Sequence, residues 1–134
     1  MIMPVLTVSD YDASAAFYEK MGFNCGDALK GPDGSNIFGI ALMGDDTMIG
    51  LSRLDMNAVA LDQPCGVGVD IMVYVPDAMD LDQLYAQVQE RGVVIDEEIG
   101  DRFWGDRTFT VIDPDGYRIV LCKTISVMSM GEIN

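Results

Sequence analysis

Acidic side chains dominate the chemistry open to this chain, which has 22 Asp and Glu, 8 Lys and Arg, three cysteines and no histidine. Without imidazole, no side chain ordinarily trades a proton near neutral pH. General base chemistry therefore falls to Asp70, a glutamate, or a cysteine of shifted pKa. Cys25, Cys65 and Cys122 are odd in number, far apart and free of any Cys-x-x-Cys, which predicts reduced thiols rather than a disulfide framework or a zinc cluster. A reactive Cys122 would need an electropositive setting, and a chain of net charge −14 does not supply one. What remains is a group suited to holding a ligand: Ser52, Asp70, Met72, Tyr74 and Arg118, with Trp104 read equally as a stacking platform or as a structural aromatic at a hairpin start.

These residues depend on strands to position them. Val5 to Val8, Asp70 to Val75, Val93 to Ile95, Thr108 to Ile112 and Tyr117 to Cys122 are β-branched or aromatic runs bounded by turn residues. Side chains alternate along a strand, so Ile71, Val73 and Val75 form one apolar face toward a helix, while Asp70, Met72 and Tyr74 share the other. The same register places Met3, Val5 and Thr7 beside Met48, Gly50 and Ser52, and Arg118 beside Val120 and Cys122. This second face is apolar with a few polar groups, as a ligand groove is. The alternative is that the faces of two modules close on each other, with Asp70 paired to Arg118 or left at the rim.

Two helices punctuate the strands. Leu81, Leu84, Tyr85 and Val88 recur at i, i+3, i+4 and i+7 and predict a helix over Asp80 to Arg91. Asp80 and Gln83 resemble a capping box at its start, and Gly92 stops it. A second helix is predicted from about Asp12 to Met21, with Ala13, Ala16, Phe17 and Met21 inward and Gly22 as the stop. Asp113-Pro114-Asp115-Gly116 and Gly44-Asp45-Asp46 read as hairpin turns.

The order of elements repeats. Val5 to Asp10 leads into a helix ending at Gly22-Phe23, and Met72 to Asp77 into one ending at Gly92-Val93. Thr47 to Leu51 after its turn matches Tyr117 to Leu121 after the other. One domain over 1–134 is expected, of class α+β: a module at about 1–55, a linker at about 56–68 marked by Pro64, Gly66 and Gly68, a second module at about 69–124, and a tail at 125–134. Each module reads strand, helix, strand, strand, strand. No apolar run approaches the ~20 residues a membrane helix needs, and the N-terminus has no signal-peptide pattern, so a soluble cytoplasmic protein is expected. The acidic balance argues against nucleic acid and anionic membrane surfaces as partners and would draw a cationic molecule in, although solubility alone also accounts for it.

With these motifs in place, the chain resembles the vicinal-oxygen-chelate superfamily over roughly Met3 to Lys123. The resemblance rests on Val8-Ser9-Asp10, on Phe17-Tyr18-Glu19-Lys20-Met21-Gly22-Phe23, on Trp104-Gly105-Asp106-Arg107-Thr108-Phe109, and on Asp113-Pro114-Asp115-Gly116-Tyr117. It implies two tandem βαβββ modules whose curled mixed sheets surround a groove, usually completed in a homodimer. Enzymes of the superfamily hold a divalent metal at four positions, which fall here on Met3, Gly50, Asp70 and Val120. Only Asp70 is a metal ligand by type, so no metal and no cofactor is expected, and glyoxalase I or dioxygenase chemistry is unsupported. The similarity is to the metal-free bleomycin-resistance branch, whose members sequester a cationic antibiotic. It implies a small-molecule binder in which Phe38, Tyr74 and Trp104 stack on planar rings and Asp70 meets a cation. The alternative is a metal-free lyase or isomerase acting on a carbonyl compound with Asp70 as base.

Overall fold

Ten elements run along the chain in a computed structural model that describes residues 1–53 and 65–126. Strand β1 (Val5–Thr7), helix α1 (Tyr11–Lys20) and strands β2 (Leu29–Lys30), β3 (Asn36–Met43) and β4 (Thr47–Ser52) form the first module. Strand β5 (Asp70–Tyr74), helix α2 (Leu81–Glu90) and strands β6 (Ile95–Asp101), β7 (Asp106–Ile112) and β8 (Arg118–Thr124) form the second. Each module makes a four-stranded mixed sheet, ordered β1-β4-β3-β2 and β5-β8-β7-β6, with the first strand parallel to the last and the other pairs antiparallel. The α+β class and the repeated module are thus as the sequence predicts. Most of the predicted linker and tail lie outside the described residues. No described helix is long and apolar enough to cross a membrane.

Both helices start on an aspartate whose carboxylate satisfies an amide of the first turn. Asp10 accepts from Ala13 N at 3.1 Å and Asp80 from Gln83 N at 3.0 Å. Both stop at a glycine of positive φ, Gly22 at 97° and Gly92 at 78°. Helix α2 buries Leu81, Leu84 and Val88 as its periodicity requires, and half-buried Tyr85 meets Phe109 edge-on with centroids 5.0 Å apart. Helix α1 differs from expectation. It buries Tyr11, Ser14 and Tyr18, with Met21 just beyond its end, whereas Ala13 and Ala16 are exposed. The missing side chain at Gly39 of β3 makes room for the Tyr11 ring, because a Cβ at Gly39 would lie 1.8 Å from the Tyr11 hydroxyl. The second strand of the second module, β6, also departs from the sequence, beginning at Ile95 rather than Val93 and running to Asp101.

The two modules share one core. Leu6, Val8, Ile49 and Leu51 of the first cluster with Val73, Val75, Phe109, Ile119 and Leu121 of the second, around the two helices. The β7–β8 turn ties them: Tyr18 donates to Asp113 at 2.8 Å, Ser9 N to Asp115 at 3.2 Å, and the Tyr117 hydroxyl to the Thr7 carbonyl at 3.0 Å. Helix-facing surfaces therefore meet inside the chain. The opposite faces of the two sheets do not close on each other, since Val5, Leu42, Met72 and Tyr74 remain 40–50% exposed.

Candidate functional site

Register divides the predicted site residues between the sheets. Phe38 pairs with Ser52 on the face of the first sheet turned away from the helices, where Phe38 is half-buried and Ser52 is buried. Asp70, Met72, Tyr74 and Arg118 line the open face of the second, where Asp70 pairs with Arg118, Met72 with Val120 and Tyr74 with Cys122. Trp104 joins them from the turn between β6 and β7. At roughly 3.3 Å per residue, Asp70 and Tyr74 stand about 13 Å apart at opposite ends of β5.

The Tyr74 end is organised by a residue the sequence reading passed over. Asp106, only 5% exposed, accepts the Tyr74 hydroxyl at 2.7 Å and the Trp104 indole N–H at 3.0 Å on one oxygen, and the Thr124 hydroxyl at 3.1 Å on the other. Three elements thus converge on one carboxylate. Tyr74 and Trp104 nevertheless stay 49% and 36% exposed, so their polar tips are fixed while their ring surfaces face outward. The turn that delivers Trp104 is tight: Gly105 has φ of 102°, and a Cβ there would fall 2.2 Å from the Ser126 carbonyl oxygen. Beside this cluster Arg102 reaches over the sheet to Thr108 Oγ1 at 2.8 Å and pairs with Glu97.

Electrostatics suit holding rather than reacting. Donation to Asp106, then burial, raises the Tyr74 phenol to about 12, so it stays protonated as a donor. Burial, then the Asp106 charge, raises the Cys122 thiol to about 12, which leaves it no thiolate near neutral pH. At the far end, Arg118 donates to Asp70 at 2.8 Å and also pairs with Asp96, and these contacts raise its already high pKa. Asp70 is therefore a partnered carboxylate on the surface.

The four positions that the resemblance assigns to a metal do not fit one. Gly50 carries no side chain and has Val5 as its strand partner, Val120 is apolar, Met3 is a weak thioether donor, and Asp70 is engaged by Arg118. Among the described residues, no three of His, Cys, Asp or Glu converge on a common point where an ion could sit. The Asp106 hub could have been sought in the polar alternation Asp106, Thr108, Thr110, which marks β7 as a strand with a hydrogen-bonding face. Its donors, however, come from positions 74, 104 and 124, and no local pattern links them.

Comparison with known proteins agrees with this architecture. The family model described as Glyoxalase/Bleomycin resistance protein/Dioxygenase superfamily matches residues 2–121. No curated protein matches the chain significantly. Among solved structures, TioX from Micromonospora sp. ML1 is similar over 96% of this chain and 99% of its own, at 19% identity and TM-score 0.67. A bleomycin resistance determinant encoded on the transposon Tn5 is similar over 92% and 97%, at 22% identity and TM-score 0.63. A glyoxalase/bleomycin resistance protein/dioxygenase from Alicyclobacillus acidocaldarius is similar over 94% and 92%, at 18% identity and TM-score 0.66. At these identities the likeness is one of fold.

Proposed function

Because the chain belongs to the glyoxalase/bleomycin resistance protein/dioxygenase superfamily, we propose that it is a metal-independent small-molecule-binding protein that sequesters a cationic or aromatic compound, such as an antibiotic, on the open face of its second sheet. The observation that carries this reading is the pair of exposed rings, Tyr74 and Trp104, held by one buried carboxylate. Rings whose polar tips are pinned lose little freedom when a planar group stacks on them, so more of the contact energy appears as affinity. The −14 charge favours a cation. A second copy of the chain, bringing the Phe38 and Ser52 face of its first sheet, would enclose the ligand and cover the exposed Met72 and Val5. We place this homodimer in the cytoplasm, where Cys25, Cys65 and Cys122 stay as free thiols.

The reading of Asp70 as general base of a metal-free enzyme gains nothing from the geometry, because that carboxylate already accepts from Arg118. Native mass spectrometry of the purified protein tests the proposal. A metal-free dimer carrying a small organic adduct is expected. A stoichiometric divalent metal, together with lyase or dioxygenase turnover that depends on it, overturns the proposal. Trp104 is the only tryptophan, so quenching of its emission reports a ligand at the site itself.

A further inference from the structure

Helix α1 carries two stripes, and only one of them is fully buried in the core, the other touching it through half-buried Phe17. Tyr11, Ser14 and Tyr18 face inward, leaving Ala13, Ala16 and Phe17 on a different side. That side, where Ala13 and Ala16 are exposed, forms one wall of a cleft of about 680 Å³ open to solvent, with Val93, Val94 and Ile112 opposite. This volume lies within the ~300–1,000 Å³ range of small-molecule sites. The cleft sits at the seam of the two modules, on the helix side of the molecule, apart from the Tyr74–Trp104 cluster. Two small alanines where a core helix would carry leucines keep it from filling, and Val94 at its edge is 70% exposed.

One polar group in the cleft is free to meet a ligand. Asp113 lies in the wall, but both its oxygens are occupied, by the Tyr18 hydroxyl and by the amides of Asp115 and Tyr117. Lys20 differs. Each of the other Lys and Arg side chains of this acidic protein is engaged with a neighbour, yet among the described residues the Lys20 amine has no hydrogen-bond or ion-pair partner. In a chain with 22 acids, a lysine amine without a partner among the described residues stands at the end of an apolar cleft.

We infer that this cleft is a second binding site, for a small amphipathic carboxylic acid whose hydrocarbon body lies along Ala13, Ala16 and Phe17 and whose carboxylate meets Lys20. The apolar body supplies affinity through burial. The charge contact supplies selectivity for an acid over the matching alcohol or amine.

Amide chemical-shift titrations of the full chain with octanoate and with 1-octanol test this. Octanoate is expected to saturate, with shifts confined to residues 13–20, 92–94 and 112–114. Lys20→Met should weaken octanoate about fivefold, the upper end for an exposed ion pair, and leave octanol unchanged. Added salt should weaken octanoate alone. Ala16→Trp, on an exposed position and checked for folding by circular dichroism, should abolish both. Unsaturable binding, shifts centred on residues 70–74 and 104–124, or equal octanoate affinity in Lys20→Met overturns the inference. Asp106→Asn, which disturbs the other site, should leave octanoate binding as it was, so the two sites fail or stand separately.

Discussion

Two buried carboxylates in the second module make the same number of hydrogen bonds and serve different ends. Asp113 accepts from the Tyr18 hydroxyl and from the amides of Asp115 and Tyr117, and Asp106 accepts from Tyr74, Trp104 and Thr124. All three donors to Asp113 belong to the core or to its own turn, and Tyr18 is wholly buried. Two of the donors to Asp106 are aromatic rings still open to solvent. A carboxylate that gathers buried donors fixes a fold, as Asp113 does by locking the β7–β8 turn of one module onto helix α1 of the other. A carboxylate that gathers exposed rings fixes a surface.

The sharpest way to break this comparison is to remove each hub. Asp113→Ala strands a fully buried tyrosine hydroxyl and two turn amides, and is expected to cost about 2–4 kcal/mol in urea unfolding. Asp113→Asn keeps the acceptor for the amides and should cost much less. It also exposes a pH signature. Burial outweighs the hydrogen bonds and raises the Asp113 pKa above the ordinary carboxylate value. A raised folded-state pKa means that the stability this carboxyl contributes is fully present below the unfolded pKa and is lost as pH rises through the folded one. The wild-type protein should therefore gain on Asp113→Asn as pH falls from neutral toward about 4, where unfolded Asp titrates. A difference between the two proteins that is flat with pH, or that moves the other way, would place a normally ionised carboxylate at this position.

Asp106→Ala is expected to cost less, about 1–3 kcal/mol, because Tyr74 and Trp104 can turn to water for their lost acceptor. Its larger effect belongs to binding. With both rings unpinned, the ligand that quenches Trp104 emission should bind at least about tenfold more weakly, the equivalent of 1.4 kcal/mol, while Asp113→Asn should bind it normally. Equal loss in both variants would mean that Asp106 acts on the fold and not on the surface. Loss of the Asp106 carboxylate should also bring the Tyr74 phenol down from about 12 toward its ordinary value near 10, read by its ultraviolet titration.

How far the sequence foretold this division depends on the range of the interactions involved. Helix α2 was legible because its caps, Asp80 and Gly92, and the apolar stripe between them are all local in the chain. Helix α1 was legible as a helix but not in its orientation. Tyr11, Ser14 and Tyr18 repeat at helical spacing as regularly as Ala13, Ala16 and Phe17, and a stripe containing serine and two phenols looks the less apolar of the two. What decided it was the room at Gly39 for the Tyr11 ring, a contact across 28 positions of chain. Strand β6 was foreshortened because Asp96, Glu97, Glu98 and Asp101 argue against a strand locally. Pairing with β7 overrides that propensity, and the acids then serve an edge strand by discouraging further pairing. On the site, alternation placed Asp70, Met72, Tyr74 and Arg118 on one face correctly, since that property has period two. It could not single out Asp106.

The smallest effect is expected at the opposite end of β5, and it tests whether that end belongs to the site at all. Asp70, Arg118 and Asp96 form an exposed ion-pair cluster, with side chains 49%, 39% and 39% exposed. Exposed pairs of this kind are worth about 0–1 kcal/mol, because water and salt screen them and two long side chains must be held in place. Asp70→Asn should therefore shift urea stability by less than about 1 kcal/mol, and that shift should vanish in molar salt. Its ligand affinity should fall only where the ligand is a cation long enough to reach from the Tyr74–Trp104 rings about 13 Å along the strand. A neutral aromatic ligand should be indifferent to the change. A loss of affinity for both kinds would make Asp70 part of the ring cluster's own support and would erase the distinction between the two ends of the strand.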